Sequence, residues 1–148
     1  MAKVIAVCRS SQKGIPKTVI TEGIFRENFG LVGDAHADCD THRQVSLLAM
    51  ESIRKMQGLG FAVKPGDFAE NITTSDIDLL SLPLATSLAI GEEVVLEITQ
   101  HGKECHGGCV IFKQTGKCIM PQEGVFARVT HGGTIKAGNK IRIIKTKS

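Results

Sequence analysis

Cysteine chemistry is the first thing this sequence offers. Of its five cysteines, Cys8 and Cys39 stand alone, whereas Cys105, Cys109 and Cys118 share one short stretch. Cys105 sits in the run Thr99-Gln100-His101-Gly102-Lys103-Glu104-Cys105-His106-Gly107-Gly108-Cys109, with a lysine just before it and a histidine directly after. Positive neighbours and free backbone N–H groups favour a thiolate, drawing a thiol below its reference value of about 8.5. A thiolate is both a strong nucleophile and a soft metal ligand. The same stretch admits a second chemistry, in which Cys105, His106, Cys109 and Cys118 hold a structural zinc ion. The Cys105-x3-Cys109 spacing is looser than the usual C-x2-C knuckle. Cys8 lies in an apolar run and is expected to be buried, Cys118 precedes Ile119-Met120 and is expected to be half buried, and Cys39 stands between Asp38 and Asp40, whose charge opposes a thiolate.

Three more segments carry residue types that hold ligands. The stretch from Gly33 to Gln44 contains Asp34, His36, Asp38, Asp40, His42 and Arg43. Such residues bind a metal or orient an anion, but they equally make turns and helix caps, and no H-E-x-x-H pattern is present. In Pro65-Gly66-Asp67-Phe68-Ala69-Glu70-Asn71, the first three residues are turn chemistry. Glu70 and Asn71 then set a carboxylate and an amide beside an apolar anchor. In the last segment, Pro121 and Gly124 bracket a turn, and Arg128 can hold an anion.

These residues need a scaffold, and the hydrophobic pattern is mostly that of strands. Val4 to Cys8 reads as a buried strand. Glu93 to Thr99 alternates, with Val94, Leu96 and Ile98 on one side, and Lys140 to Ile144 does the same. Gly91 and Gly138 each precede such a run and read as matched turns. Val125 to Val129 is ambiguous between strand and helical turn. One helix is predicted over Ser46–Met56, capped by Ser46, with Leu47, Met50, Ile53 and Met56 near one face, a Glu51–Lys55 pair, and Gly58 and Gly60 as its stop. No βαβ spacing is evident, so the expectation is a mostly β, closed or nearly closed barrel with a few short helices, as one domain over residues 1–148.

Composition narrows the function. The 148 residues are 42% hydrophobic and 22% charged, close to an ordinary globular chain. There is no Trp or Tyr, and the net charge is only +3, so the stacking platforms of single-strand nucleic-acid binders are missing. A mildly basic surface suits a small anionic ligand instead. No apolar run reaches the ~18 residues of a membrane span, and the N-terminal stretch is too short for a secretory signal. A cytoplasmic protein with reduced thiols, binding neither nucleic acid nor membrane, is the expectation.

Taken together, the motifs resemble the MOSC domain, the module found at the C-terminus of molybdenum cofactor sulfurases. The resemblance rests on the order Gly33-Asp34-Ala35-His36, His42-Arg43-Gln44-Val45-Ser46, Pro65-Gly66-Asp67-Phe68-x-Glu70-Asn71, Gly102-x-x-Cys105, Pro121-x-Glu123-Gly124-x-Phe126-Ala127-Arg128-Val129 and Gly133-x-Ile135-x-x-Gly138-x-x-Ile141. It implies a barrel-like β fold and a short stand-alone member of the bacterial type. It also implies a cysteine that accepts sulfur or meets molybdenum, which carries over best to Cys105, with Cys109 as its rival and possible metal partner. Asp34, His36, His42, Arg43, Glu70, Asn71 and Arg128 would line a site for the molybdopterin cofactor. Arg43 and Glu70 are expected to serve that pocket more than the fold. The implied partners are a molybdoenzyme or the molybdenum cofactor, and a cysteine-desulfurase-like sulfur donor that carries the pyridoxal phosphate. The competing class is the zinc-stabilised binding module without catalysis.

Overall fold

Alternating side chains account for some of the observed strands, such as Glu22–Arg26 and Val94–His101, while others are buried on both faces. The computed structural model describes residues 2–13, 15–102 and 123–145. Its strands are β1 (Lys3–Arg9), β2 (Thr18–Ile20), β3 (Glu22–Arg26), β4 (Gly30–Leu31), β5 (Val45–Ala49), β6 (Ile72–Ser75), β7 (Ser87–Ile90), β8 (Val94–His101), β9 (Val125–His131), β10 (Gly133–Lys136) and β11 (Ile141–Lys145). Among the described residues, the helix α1 (Met50–Gly58) follows β5 and a 3-10 turn spans Leu79–Ser81. Along β8, Val94, Leu96 and Ile98 are buried while Val95, Glu97 and Thr99 are only partly so, as the alternation requires. Gly91 and Gly138 both adopt positive φ in the turns before β8 and β11. The ambiguous Val125 run is a strand, buried between β5 and β8.

Eight strands form one sheet in the order β11-β7-β8-β9-β5-β6-β1-β2, and β10-β3-β4 form a second. The large sheet is not closed into a barrel. Its β2 occupies the free side of the C-terminal half of β1, pairing Val7 with Ile20 and Arg9 with Thr18. Only the beginning of β1 is left to meet the other end of the sheet, through a bridge of Lys3 to Lys140 and a bond from Val4 N–H to the Asn139 carbonyl at 2.8 Å. The main core gathers Val4, Val7, Leu47, Ile72, Leu96, Ile98 and their neighbours on one face of the large sheet. A second cluster, Leu48, Ile53, Met56, Val63, Phe68 and Phe126, lies where α1 covers the other face.

The predicted helix begins four residues late. Ser46 to Ala49 belong to β5, which pairs in parallel with β6 and antiparallel with β9 and is buried along nearly its whole length. Two sheet neighbours override the helix preference of Leu47 and Leu48. Ser46 is therefore no cap: its hydroxyl donates to the Ala69 carbonyl at 3.2 Å, and the helix starts from Ala49 without a side-chain cap. The unit β5-α1-β6 is also a parallel crossover, which the sequence reading did not anticipate. Ile53 and Met56 do face the core, but Lys55 pairs with Glu123 rather than with Glu51. Glu51 instead accepts the Asp76 N–H at 2.9 Å. No helix among the described residues is long and apolar enough to cross a membrane.

Candidate functional site

Parallel β5 and β6 and antiparallel β1 bring three loops to one end of the sheet. The register pairs Leu47 with Ile72 and Ile72 with Val7, so the residues before β5, before β6 and after β1 are neighbours. Asn71 fastens them together. It exchanges backbone bonds with Cys8 and Ser46, accepts the Ser46 N–H on Oδ1 at 3.0 Å and donates from Nδ2 to the Cys8 carbonyl at 3.2 Å. Its amide supplies donor and acceptor together, which a carboxylate could not do.

Glu70 and Cys8 are sealed beside it. Both are 0% exposed. Glu70 Oε2 accepts the Thr73 hydroxyl at 2.7 Å, and Oε1 is buried without a hydrogen-bond partner. Burial raises the Glu70 carboxyl above its ordinary value, against the pull of nearby backbone N–H groups and of Thr73. Burial, and then the Glu70 charge, push the Cys8 thiol up to about 12. Sequence reading assigned Glu70 to a ligand pocket more than to the fold; in the structure Phe68, at 1% exposure, anchors the loop inward and Glu70 is buried with it. Replacing Glu70 by alanine is expected to cost about 1–3 kcal/mol, because the buried Thr73 hydroxyl loses its acceptor in a dry site. Arg43→Ala should leave the melting temperature nearly unchanged, since that side chain is exposed. Thermal melts of the two variants check the contrast.

On the other side of the β1 end lies a charged knot. Lys17 Nζ donates to Asp34 Oδ1 at 2.7 Å, and both side chains are 0% exposed. Asp34 also accepts the Ser10 N–H and the His36 N–H, each at 3.1 Å. Burial alone would raise the Asp34 carboxyl, but its bonds to His36, Lys17 and Ser10 outweigh that and hold it well below the usual carboxylate range. His36 Nδ1 lies 3.0 Å from Lys17 Nζ, and its ring is 31% exposed. Sequence reading missed Lys17 altogether. It is a lone lysine before a short strand, and nothing local marks it as a partner for a carboxylate seventeen residues away.

The third group gathers at the end of β8. His42 Nε2 meets Gln100 Oε1 at 2.7 Å, and the Thr99 hydroxyl donates to the His42 carbonyl. The Arg43 guanidinium lies over the Phe126 ring, 6.0 Å from its centre. Arg128 Nε donates to Glu97 Oε1 at 3.0 Å, so part of its charge is already engaged. The ends of β8 and β9 are clamped by a bond from Gly102 N–H to the Gly124 carbonyl at 2.7 Å.

The predicted residues thus divide. Asp34, Glu70 and Asn71 are buried and hold the loops, while His42, Arg43 and Arg128 are exposed, with His36 between. Cys105, Cys109, Cys118, Lys103 and His106 lie outside the described residues. Among the described residues, Asp38, Cys39 and Asp40 alone bring three potential metal-ligand atoms within 4.8 Å of one another, and all three residues are exposed. Asp38 also accepts the Asp40 N–H at 2.8 Å, a local turn.

A family model, the MOSC domain, matches residues 34–142. No curated protein matches the chain by sequence. Solved structures share its fold. The YuaD protein from Bacillus subtilis superposes with a TM-score of 0.76 at 15% identity, over 95% of this chain and 94% of that one. YiiM from Geobacillus stearothermophilus gives 0.73 at 14% identity, over 98% and 76%. YiiM from Escherichia coli gives 0.71 at 15% identity, over 100% and 72%.

Proposed function

Because this chain belongs to the MOSC domain family, we propose that it works in molybdenum-cofactor chemistry as a sulfur carrier, with Cys105 as the accepting cysteine. The family is associated with molybdenum cofactor sulfurase-like proteins. One observation carries the reading. His42 is held against the end of β8, the strand that leads in sequence to Cys105, and Arg43 lies over Phe126 of the neighbouring β9. The two described thiols offer no better carrier: Cys8 is sealed, and Cys39 stands between two carboxylates.

The exposed groups fit a phosphate-bearing, anionic ligand such as molybdopterin. His42, Arg43, Arg128 and the outer edge of His36 would meet its anionic oxygens, because guanidinium and imidazole N–H groups donate and carry positive or neutral charge. Glu70, Asn71 and Asp34 are too deeply buried to touch it and would act by holding the loops. Molybdenum, when bound, supplies a thiophilic centre on which a carried sulfur can settle. The pyridoxal phosphate belongs to the donor enzyme, which abstracts sulfur from cysteine. Transfer is a thiol exchange: the Cys105 thiolate attacks the terminal sulfur of the donor's persulfide, a new S–S bond forms, and the donor cysteine leaves as a thiolate. No net oxidation occurs.

The test is mass spectrometry after incubation with a cysteine desulfurase and cysteine. One added sulfur per chain, mapped to Cys105 and lost in Cys105→Ser, is expected. Sulfur on Cys109 would move the role to that residue. No added sulfur, together with near one zinc per chain and loss of fold on chelation, would replace the proposal with the zinc-stabilised module.

A further inference from the structure

We propose that Lys17 is a positioning residue for His36, fixing its ring as the Nε2–H tautomer and so making the exposed edge of that ring a hydrogen-bond donor. In naming what that donor meets, an anionic oxygen, the inference rests on the reading above; the tautomer itself does not.

The assignment follows from which atoms can donate. An ammonium group has three donors and no acceptor, so the His36 Nδ1 that lies 3.0 Å from Lys17 Nζ must accept. In a neutral imidazole the proton is then on Nε2. The alternative is an Nδ1–H donating to Asp34 Oδ2, but that separation is 3.8 Å, beyond hydrogen-bond range, and the proton would face the ammonium. Asp34 Oδ2 is already engaged by the His36 backbone N–H at 3.1 Å, while Oδ1 takes Lys17 and Ser10.

Lys17 has no room to turn elsewhere. Its side chain is fully buried, its ammonium is paired with Asp34, and its backbone N–H donates to the Gly66 carbonyl at 2.7 Å. The buried pair therefore does for His36 what an outer carboxylate does for many catalytic histidines, with the opposite polarity. A carboxylate behind the ring makes the front nitrogen basic, suited to a metal or a proton. A lysine behind the ring makes the front nitrogen a donor, suited to an anion and closed to a cation, since a metal would need the lone pair that Nε2–H lacks.

Long-range ¹H–¹⁵N correlation on the full-length protein, in the alkaline range where imidazole is neutral, reads the tautomer directly. His36 is expected to show a protonated Nε2 and an Nδ1 shifted as a hydrogen-bond acceptor. The acceptor shift should vanish in the charge-neutral double variant Lys17→Met, Asp34→Asn and persist in Lys17→Arg, which keeps a cationic donor. Titration with inorganic phosphate should move the wild-type Nε2–H resonance, and the double variant should bind about tenfold more weakly. A wild-type His36 protonated on Nδ1 overturns the inference whatever the variants do, and so does an acceptor shift that survives in a folded double variant. An Nε2–H that depends on Lys17 but ignores phosphate upholds the role of Lys17 and refutes the anion-binding reading of the site.

Discussion

Replacing Gly66 by alanine is expected to cost more than about 4 kcal/mol, a large share of the stability of a domain this size. Two independent penalties meet at this position. Gly66 has φ +91°, where an L side chain is strained, and a Cβ built on it would lie 2.2 Å from the Lys17 carbonyl oxygen. That oxygen is backbone, and its residue is pinned on both sides. The Lys17 N–H donates to Gly66 itself, and its ammonium is locked on the buried Asp34. The added methyl also comes within 3.3 Å of the Cys8 sulfur. Relief would require parting the loop before β6 from the segment before β2, which exposes the buried Glu70 and Cys8. Urea denaturation followed by circular dichroism measures the loss. Gly58, with open space around it and no positive φ, is the matched control. Gly58→Ala at the end of α1 should raise stability by a few tenths to about 1 kcal/mol. Equal effects at the two glycines would refute the steric account of Gly66.

The contrast between these glycines shows what the sequence could and could not reveal. β8, whose burial alternates, was legible because period-two patterning is a local signal, and β1 was legible as a short continuous apolar run. The turns at Gly91 and Gly138 were legible for the same reason. β5 was not: Ser46-Leu47-Leu48-Ala49 is covered on both faces and bonded on both edges, so it carries no alternation and reads as the opening of the helix that follows it. Barrel closure also depends on a non-local fact, namely that β2 takes the free side of the second half of β1.

The site follows the same rule. Asp34, His36, Glu70 and Asn71 stood out by residue type, but type does not reveal burial. Glu70 is sealed because Phe68 and Leu48 pack into the cluster under α1, a contact between distant segments. Lys17 was silent because its partners, Asp34 and His36, are supplied by a different loop. Residue chemistry was readable from the chain, whereas the division between groups that touch solvent and groups that hold the loops was not.

Cys8 gives the second large expected effect, a loss of stability in alkali that belongs to one thiol. In the folded protein its pKa is pushed up from 9.0 to about 12, by burial first and by the Glu70 charge second. Between those values the folded state keeps the proton and the unfolded chain releases it. The folded state then binds more protons, so stability falls as pH rises. The contribution is fully present below pH 9 and is lost as pH climbs through the folded value, up to about 4 kcal/mol for a shift of this size. Lysines titrate in the same window, but they do so in wild type and variant alike. Comparing urea midpoints of wild type and Cys8→Ala at a series of alkaline pH values therefore isolates the thiol. The wild-type curve should fall more steeply, and parallel curves would show that Cys8 is not the group responsible. The same burial bears on function. A thiol that holds its proton to about pH 12 is no nucleophile at neutrality, so Cys8 should resist alkylation in the folded protein while the exposed Cys39 reacts. A folded Cys8 that alkylates as fast as Cys39 would put a second reactive thiol at the heart of the loop junction, and the case for Cys105 as carrier would lose the exclusion on which it partly stands.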